Sequence, residues 1–600
     1  MKRCLILILC ICLLTGCAGG FSNGRNADPA KMPQEQVFDL LFDIKNKVYL
    51  QLDMPEEELA KMQADYEAYD CNGSKSPIYR MADLQVTVTT PDGSTYNWMI
   101  EEVGVRMKGN TSRTDFYSPE RGLYNIIHLK LSFQEAFDDE EYYGADAKVW
   151  DEAERENRKD RTFATLEKLD LRWNRCDDST YLKEYFAYET YRRNGVLAPH
   201  TNLAAFEWAG IHMGVFTINE PIDKLFLKKY LPDDACGGDL YKVGWAGSNN
   251  GSFLTTDSIG IENEDKGEFF AYDLKTNKKS SAHESLTSFI NAMNAEVTKE
   301  SFAELVDLEA FLPFAAVSYL LGNPDDMRNN YNNFYVYFRS DNGKAVFIPY
   351  DYDRCLGITA HWNPTGNGVT RDNPFSAKLL GVTPDSGEQA TRQRNPVILY
   401  SVAQGGYYVR EYADLLAKIA ESDWFRYESF ESLYKIAHAN YGQLTKPEKQ
   451  FDNTRDLMLS FDIHRTSDYR SNGNICIREY LASKLTTMYS YLAELEYYAE
   501  EKPLVNPVWY IRADFTDWQM DDRYLMDVDA GTVTIRIDLK RTSALKVYNI
   551  ATDRWYGSEC VSPDCKIPVD TDSYTNIILP EGMYTLIFDI KTETIFIQKD

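Results

Sequence analysis

Residues 322–338 read GNPDDMRNNYNNFYVYF, and residues 347–357 read FIPYDYDRCLG. Between 323 and 333 the first stretch holds two carboxylates and five asparagines, and it then becomes an alternating aromatic and β-branched run that predicts a strand. The second stretch ends a strand, AVFIPY, at Asp351, with Asp353 two residues on. The connection RSDNGK is short, so the strands should pair as a hairpin. The start of one then lies beside the end of the other, and the oxygen ligands converge at one end. Hard oxygen ligands around one point suit a divalent cation held together with phosphate. Phosphoryl transfer by protein kinases needs this order: an aspartate to orient the acceptor hydroxyl, an asparagine on magnesium, and a second aspartate beyond a hairpin. Asp325 or Asp326, Asn330 or Asn333, and Asp351 occur in that order. An Asx-rich turn with incidental charges gives the same pattern without chemistry.

Working outward, the first residues read as an export signal. Lys2 and Arg3 precede an apolar run from Cys4 to Leu14, followed by Thr15-Gly16-Cys17. LTGC resembles a bacterial lipobox, which implies lipidation at Cys17, a flexible tether over 18–33, and a cell-surface chain held to the membrane by its lipid alone. No later segment is apolar and long enough to cross a bilayer. The formal charge of −28 repels phosphate backbones and argues against a nucleic-acid partner. The seven histidines show no HExxH spacing and the cysteines no zinc-type CxxC pair, so a zinc hydrolase is disfavoured. Cys560 and Cys565 are near enough in sequence for a disulfide.

The remaining patterns predict an α+β protein. Residues 34–60 read as a helix followed by an acidic turn. DLQVTVTT (83–90) and WMIEEVGVRMKG (98–109) form a strand pair, and IIHLKLSF (126–133) and LEKLDLRW (166–173) are further strands. The charge-dense segment over about 137–161 is an exposed insertion. A helix follows over 179–195, then a hairpin over 202–220 and a short strand at 239–243. GWAGSNNGS (244–252) lacks a Walker lysine and reads as a surface loop. The segments 281–321 and 408–498 are mostly helical. Beyond EEKPLVNP (500–507), short regular strands predict an all-β sandwich over 505–600.

Seven pieces in order resemble the spore coat protein H (CotH) kinase family: VRMKGNTSR (105–113), LKLSF (129–133), LDLRWN with DDSTYLKEYFAYETYRRNGVLAPH (169–200), GVFTINEPIDKLFL (214–227), DLYK (239–242), GNPDDMRNNYNNFYVYF and FIPYDYDRCLG. The resemblance implies a two-lobed, atypical protein-kinase-like domain over 34–500, using ATP with Mg2+ or Mn2+ on Ser/Thr of surface or secreted proteins. It implies that Asp325, or its neighbour Asp326, orients the acceptor, and that Asn333 and Asp351 hold the metal with Asp353. Lys130 should face inward to ATP phosphate or to a carboxylate such as Glu184 or Glu220. Arg106 and Arg113 flank a GNTS turn that could cover phosphates, and Glu220 is a phosphate-side or metal-side carboxylate, or else an acid at the start of a helix. Tyr350 stands where the family usually has Trp, a conservative change at a packing position.

The C-terminal module is similar to starch-binding-type β-sandwiches, which implies an α-glucan or other polysaccharide partner. Trp555 and Tyr556 are expected as an exposed stacking platform, with Trp518 beside them or, like Trp509, in the core. Two other functions compete with the kinase: a non-catalytic surface protein on the same scaffold that binds glycan or cell-wall components, and a glycoside hydrolase, since 92 acidic residues offer many carboxylate pairs.

Overall fold

The computed structural model describes residues 31–600 except 72, 111, 121, 247–249, 359–368, 377–394, 455–460, 467–473, 496–508, 530, 551–553, 559–565 and 570–574. The leader with Cys17, most of the tether, the 500–507 boundary, Cys560 and Cys565 lie outside the described residues. Among those residues no helix is long and apolar enough to cross a membrane.

The chain is α+β. Seven strands close into a barrel: β1 (Lys47–Asp53), β2 (Arg80–Thr89), β3 (Thr95–Lys108), β6 (His128–Ser132), β7 (Lys168–Trp173), β9 (Ile211–Asn219) and β8 (Thr201–Trp208), in that spatial order. A two-residue ladder, β4 (Tyr117–Ser118) with β5 (Gly122–Leu123), lies in the β3–β6 connection. Only the closing β1–β8 pair is parallel. Strand β1 corrects the reading of 34–60. Helix Gln34–Phe42 is followed by KVYLQLD, whose Val48, Leu50 and Leu52 alternate into the barrel core. The supposed acidic turn starts helix Glu56–Asp70, with three glutamates in its first turn, where the helix dipole favours negative charge.

A second sheet runs β11 (Ile259–Gly260), β12 (Tyr272–Leu274), β10 (Leu240–Val243), β13 (Phe334–Phe338), β14 (Ala345–Pro349). Strands β13 and β14 pair antiparallel, with Phe334 opposite Pro349. One face of this sheet packs in a large core with helices Lys183–Arg193, Leu308–Leu321, Val409–Ala420 and Ile477–Ala493. Helix Leu308–Leu321 (LEAFLPFAAVSYLL) is buried over nearly its whole surface, which explains its almost uniformly apolar sequence. It ends at Gly322 with φ +57°, and a Cβ there would fall 2.0 Å from the Tyr480 hydroxyl, so only glycine fits. The chain then turns into the Asn323–Asn333 loop.

The C-terminal residues form two sheets. One holds β15 (Trp509–Ala513), β18 (Ser543–Asn549), β19 (Arg554–Tyr556) and β21 (Ile577–Leu579). The other runs β16 (Asp527–Asp529), β17 (Thr532–Leu539), β22 (Gly582–Asp589), β23 (Thr594–Lys599), β20 (Lys566–Pro568). Both contribute to one apolar core that includes Trp509, Val547, Tyr556, Ile535, Leu586 and Phe588.

Candidate active site

The polar faces of three barrel strands make one wall of a cleft of about 1110 Å³. In β7 the sequence KLDLRW buries Leu169 and Leu171 in the barrel and turns Lys168, Asp170 and Arg172 to the other side. Register places Arg106 of β3 beside Lys130 of β6, and Lys130 beside Asp170 of β7. Nine lysines and arginines and ten carboxylates line the cleft, a near balance in a chain whose formal charge is −28. Cations are therefore concentrated here.

They gather around Asp170. Lys108 is ion-paired with its carboxylate, Lys130 Nζ lies 3.9 Å from Oδ1, and Lys242 acts on it at longer range. Burial alone would push the Asp170 carboxyl up, but Lys108 and Lys130 hold it down at about 2. Burial also lowers the Lys130 pKa. Lys108 and Lys242 stand 5.7 and 4.6 Å from the centroid of the Tyr350 ring, a cation–π arrangement. Tyr350 is thus more than a packing residue, and an aromatic ring is what the position requires. Three ammonium groups thus gather around one carboxylate here, with Glu262 and Asp273 beside Lys242 in the same cleft.

Next to this floor, behind Asp351, a buried cluster has the opposite balance. Arg172 Nη1 donates to Glu184 Oε1 at 2.7 Å, and Nη2 donates to Asp353 Oδ2 at 3.1 Å and to Asp351 Oδ1. The Tyr188 hydroxyl accepts from the Asp351 N–H at 2.9 Å and donates to Glu184 at 3.3 Å. One guanidinium serves three carboxylates. Burial, with Asp353 and Asp351 nearby, outweighs Arg172 and pushes the Glu184 carboxyl up to about 7. The Cys176 thiol donates to Asp353 at 3.2 Å.

The hairpin brings Asn333 and Asp351 to one end, where the Tyr350 N–H donates to the Asn333 carbonyl at 3.2 Å. Both residues hold left-handed φ, +53° and +59°, a region that Asn and Asp tolerate best among non-glycine residues. Asn332, Asn333 and Asp351 line the cleft together with Arg106, Arg113, Lys130 and Glu220, whereas Asp325, Asp326 and Asp353 are not among the lining residues. Asp325 lies one layer behind. Its Oδ1 accepts from Asn330 and Asn332 at 2.6 and 2.9 Å, its Oδ2 pairs with Arg354 at 3.4 Å, and its side chain is 16% exposed. Asp326 is 1% exposed. It accepts from Ser318, from the Asn329 N–H at 2.8 Å and from the Tyr352 hydroxyl at 3.4 Å. Such a carboxylate ties the loop to Ser318 and Tyr352.

Several expectations need revision. The carboxylate beside Lys130 is Asp170, not Glu184 or Glu220. Glu220 lines the cleft, yet its oxygens are engaged by the His200 N–H and ring, by the Tyr230 hydroxyl, and by Lys229 at 3.6 Å. Arg106 is held by Glu264 and the Ser76 carbonyl, with its Nε buried and without a hydrogen-bond partner among the described residues. Arg113 is held by Asp70 at 3.2 Å and by the Ser74 carbonyl. The stacking platform also changes. In β19, alternation sends Tyr556 inward, 4% exposed, against Trp509 and Phe588 at 5.6 and 4.8 Å. Trp555 is half-buried and packs on Tyr548 at 4.7 Å, with half-buried Trp518 at 6.5 Å and the Arg512 guanidinium 4.6 Å from its ring.

Sequence reasoning missed Lys108, Asp170, Arg172 and Lys242. The signal was present: charges at every second position of RMK (106–108) and of KLDLRW, inside strands with apolar alternates. The family description "CotH kinase protein" matches residues 122–483, which span β5 to the Ile477–Ala493 helix and include the lysine floor except Lys108, the Arg172 cluster and the Asn323–Gly357 loops. No curated protein matches the chain. The chain belongs to the CotH kinase protein family.

Proposed function

We propose that the protein is an exported, lipid-anchored protein kinase of atypical two-lobed form, transferring the γ-phosphate of ATP to Ser or Thr of surface proteins. One observation carries this reading: a floor of three lysines shares one cleft with Asn333 and Asp351, so cations for a polyphosphate and oxygen ligands for a divalent cation face the same space. Bound ATP with Mg2+ or Mn2+ supplies the transferable phosphoryl group. Lys108, Lys130 and Lys242 would hold its phosphates, with Tyr350 spacing two of the ammonium groups. Asn333 and Asp351 would hold the metal and Asp353 would support them. Among the described residues no group of three or more His, Cys, Asp or Glu is arranged to hold a metal, so phosphate oxygens and water would complete the shell, as is usual for magnesium. Asp325, one layer behind the cleft but less buried than Asp326, is the loop aspartate that would orient the acceptor hydroxyl and take its proton, with the acceptor displacing the Asn330 or Asn332 amide from it.

Other parts of the proposal have separate support. The lipobox at Cys17 supports export and anchoring. Two C-terminal sheets sharing one core support a starch-binding-type sandwich, whose remaining glycan surface is Trp518 with Trp555.

A second reading is favoured by a specific observation. Arg172 already engages Asp351 and Asp353, which suits a scaffold that binds without transferring phosphate. Incubating the exported chain with γ-labelled ATP and Mg2+ or Mn2+ separates the two. Label incorporation that disappears in Asp351→Asn supports the kinase, and ATP binding without incorporation under either metal supports the scaffold.

A further inference from the structure

Helix Ile477–Ala493 is buried on two faces. Ile477, Tyr480, Leu481 and Leu485 belong to the large core of the family domain. Cys476, at the helix N-cap, and Ala482 instead join a separate buried cluster with Tyr510, Met520, Tyr548 and Ile550 of the C-terminal β unit, flanked by Leu525 and Trp555. This seam is apolar at its centre.

The first turn of the same helix touches both loops of the site. The N–H of Ile475, next to Cys476, donates to the Gly357 carbonyl at 3.0 Å, at the end of the loop that starts at Asp351. Gly357 has φ +94°, and a Cβ there would lie 2.6 Å from the Ile475 carbonyl oxygen, so loop and helix entry approach as closely as backbone allows. The Tyr480 hydroxyl donates to the Leu320 carbonyl at 2.9 Å, two residues before Gly322 and the turn into the Asp325 loop.

We infer that the C-terminal β unit is a brace of the catalytic loops: its seam with Cys476 and Ala482 fixes the start of the Ile477–Ala493 helix, which in turn positions the Asp351–Gly357 and Asn323–Asn333 loops. Cys476, Ala482 and Met520 are positioning residues. Their physical basis is packing, because close-packed interfaces shift between discrete arrangements and transmit displacement instead of absorbing it. Any ligand that stacks on Trp555 meets the same seam, so glycan binding and the loops are mechanically linked. The inference rests on the proposed site for its activity readout alone.

The test is made in the full chain. Ala482→Glu places a charge in the seam from the helix side, and Met520→Asp does so from the β unit; Ala482→Ser is the conservative control. Amide exchange over 351–358 and at Ile475 should quicken about tenfold in both charged variants and stay unchanged in the control, with the barrel strands unaffected, a size typical of coupling through packed elements. Turnover should fall by a similar factor while KM for ATP stays within about twofold. If the seam opens, shown by faster exchange in β18, and 351–358 keeps its protection, the brace is overturned. A wild type without phosphoryl transfer sinks the kinase reading and leaves the exchange measurement to decide the brace. Should one charged variant fail to fold, the other carries the decision, since the two enter the seam from opposite sides.

Discussion

Replacing Arg172 by methionine keeps the length and apolar stem of the side chain and removes the guanidinium that Glu184, Asp351 and Asp353 share. Removing one partner of a buried ion pair costs about 3–5 kcal/mol, because the remaining charge loses its compensation. The Asp351 and Asp353 side chains are 32% and 30% exposed, so water screens their share, whereas Glu184 is 10% exposed and takes most of the loss. The expected destabilisation at pH 8 is therefore near the lower end, about 3 kcal/mol. Its pH dependence has a definite sign. The Glu184 carboxyl titrates at about 7, above its ordinary 4.5, so its contribution to stability is complete below 4.5 and is lost as pH rises through about 7. Without Arg172 the carboxyl moves further up. The deficit of Arg172→Met should accordingly grow between pH 5 and 8, by up to about 1.4 kcal/mol, the worth of the one pH unit between a folded value of about 7 and pH 8. Urea unfolding at both pH values, followed by near-ultraviolet circular dichroism, measures this. Arg172→Met/Glu184→Gln should recover most of the loss, since neither charge then remains buried. A deficit below about 1 kcal/mol at pH 8, or an equal deficit at both pH values, would refute the claim that Arg172 compensates this cluster.

Lys130→Met should weaken ATP binding about tenfold or more and raise the pKa of Asp170, because one of three ammonium groups leaves the floor; calorimetry with a titration of ATP at fixed magnesium reads the first effect. Asp325→Asn should lower turnover about a hundredfold with a smaller fall in melting temperature than Asp326→Asn, whose carboxylate is the more deeply buried of the two; the reverse pattern would exchange their roles. Tyr556→Ala should destabilise the C-terminal β unit by about 3–5 kcal/mol as a buried aromatic, while Trp555→Ala should cost less and abolish any retardation on starch gels. Polysaccharide retention surviving in Trp555→Ala would remove that side chain from the glycan surface.

By itself the sequence determined the local arrangements. The hairpin was legible because alternating FYVYF and AVFI flank a short polar turn, and period-2 pattern with turn chemistry is a local property. That property also placed Asn333 and Asp351 at one end, since neither depends on anything far away in the chain. The position of β1 was obscured by the neighbouring helices, though KVYLQLD carries the alternation. Tertiary structure decided which charges meet. Arg172 lies 179 residues from Asp351 along the chain and Lys108 lies 62 from Asp170, and such pairings follow from barrel closure and strand register, which no local pattern encodes. Burial likewise separated Asp325 from Asp326 and Trp555 from Tyr556. Adjacent residues share composition and neighbours in sequence, yet alternation and the packing of distant elements send one toward solvent and the other into the core.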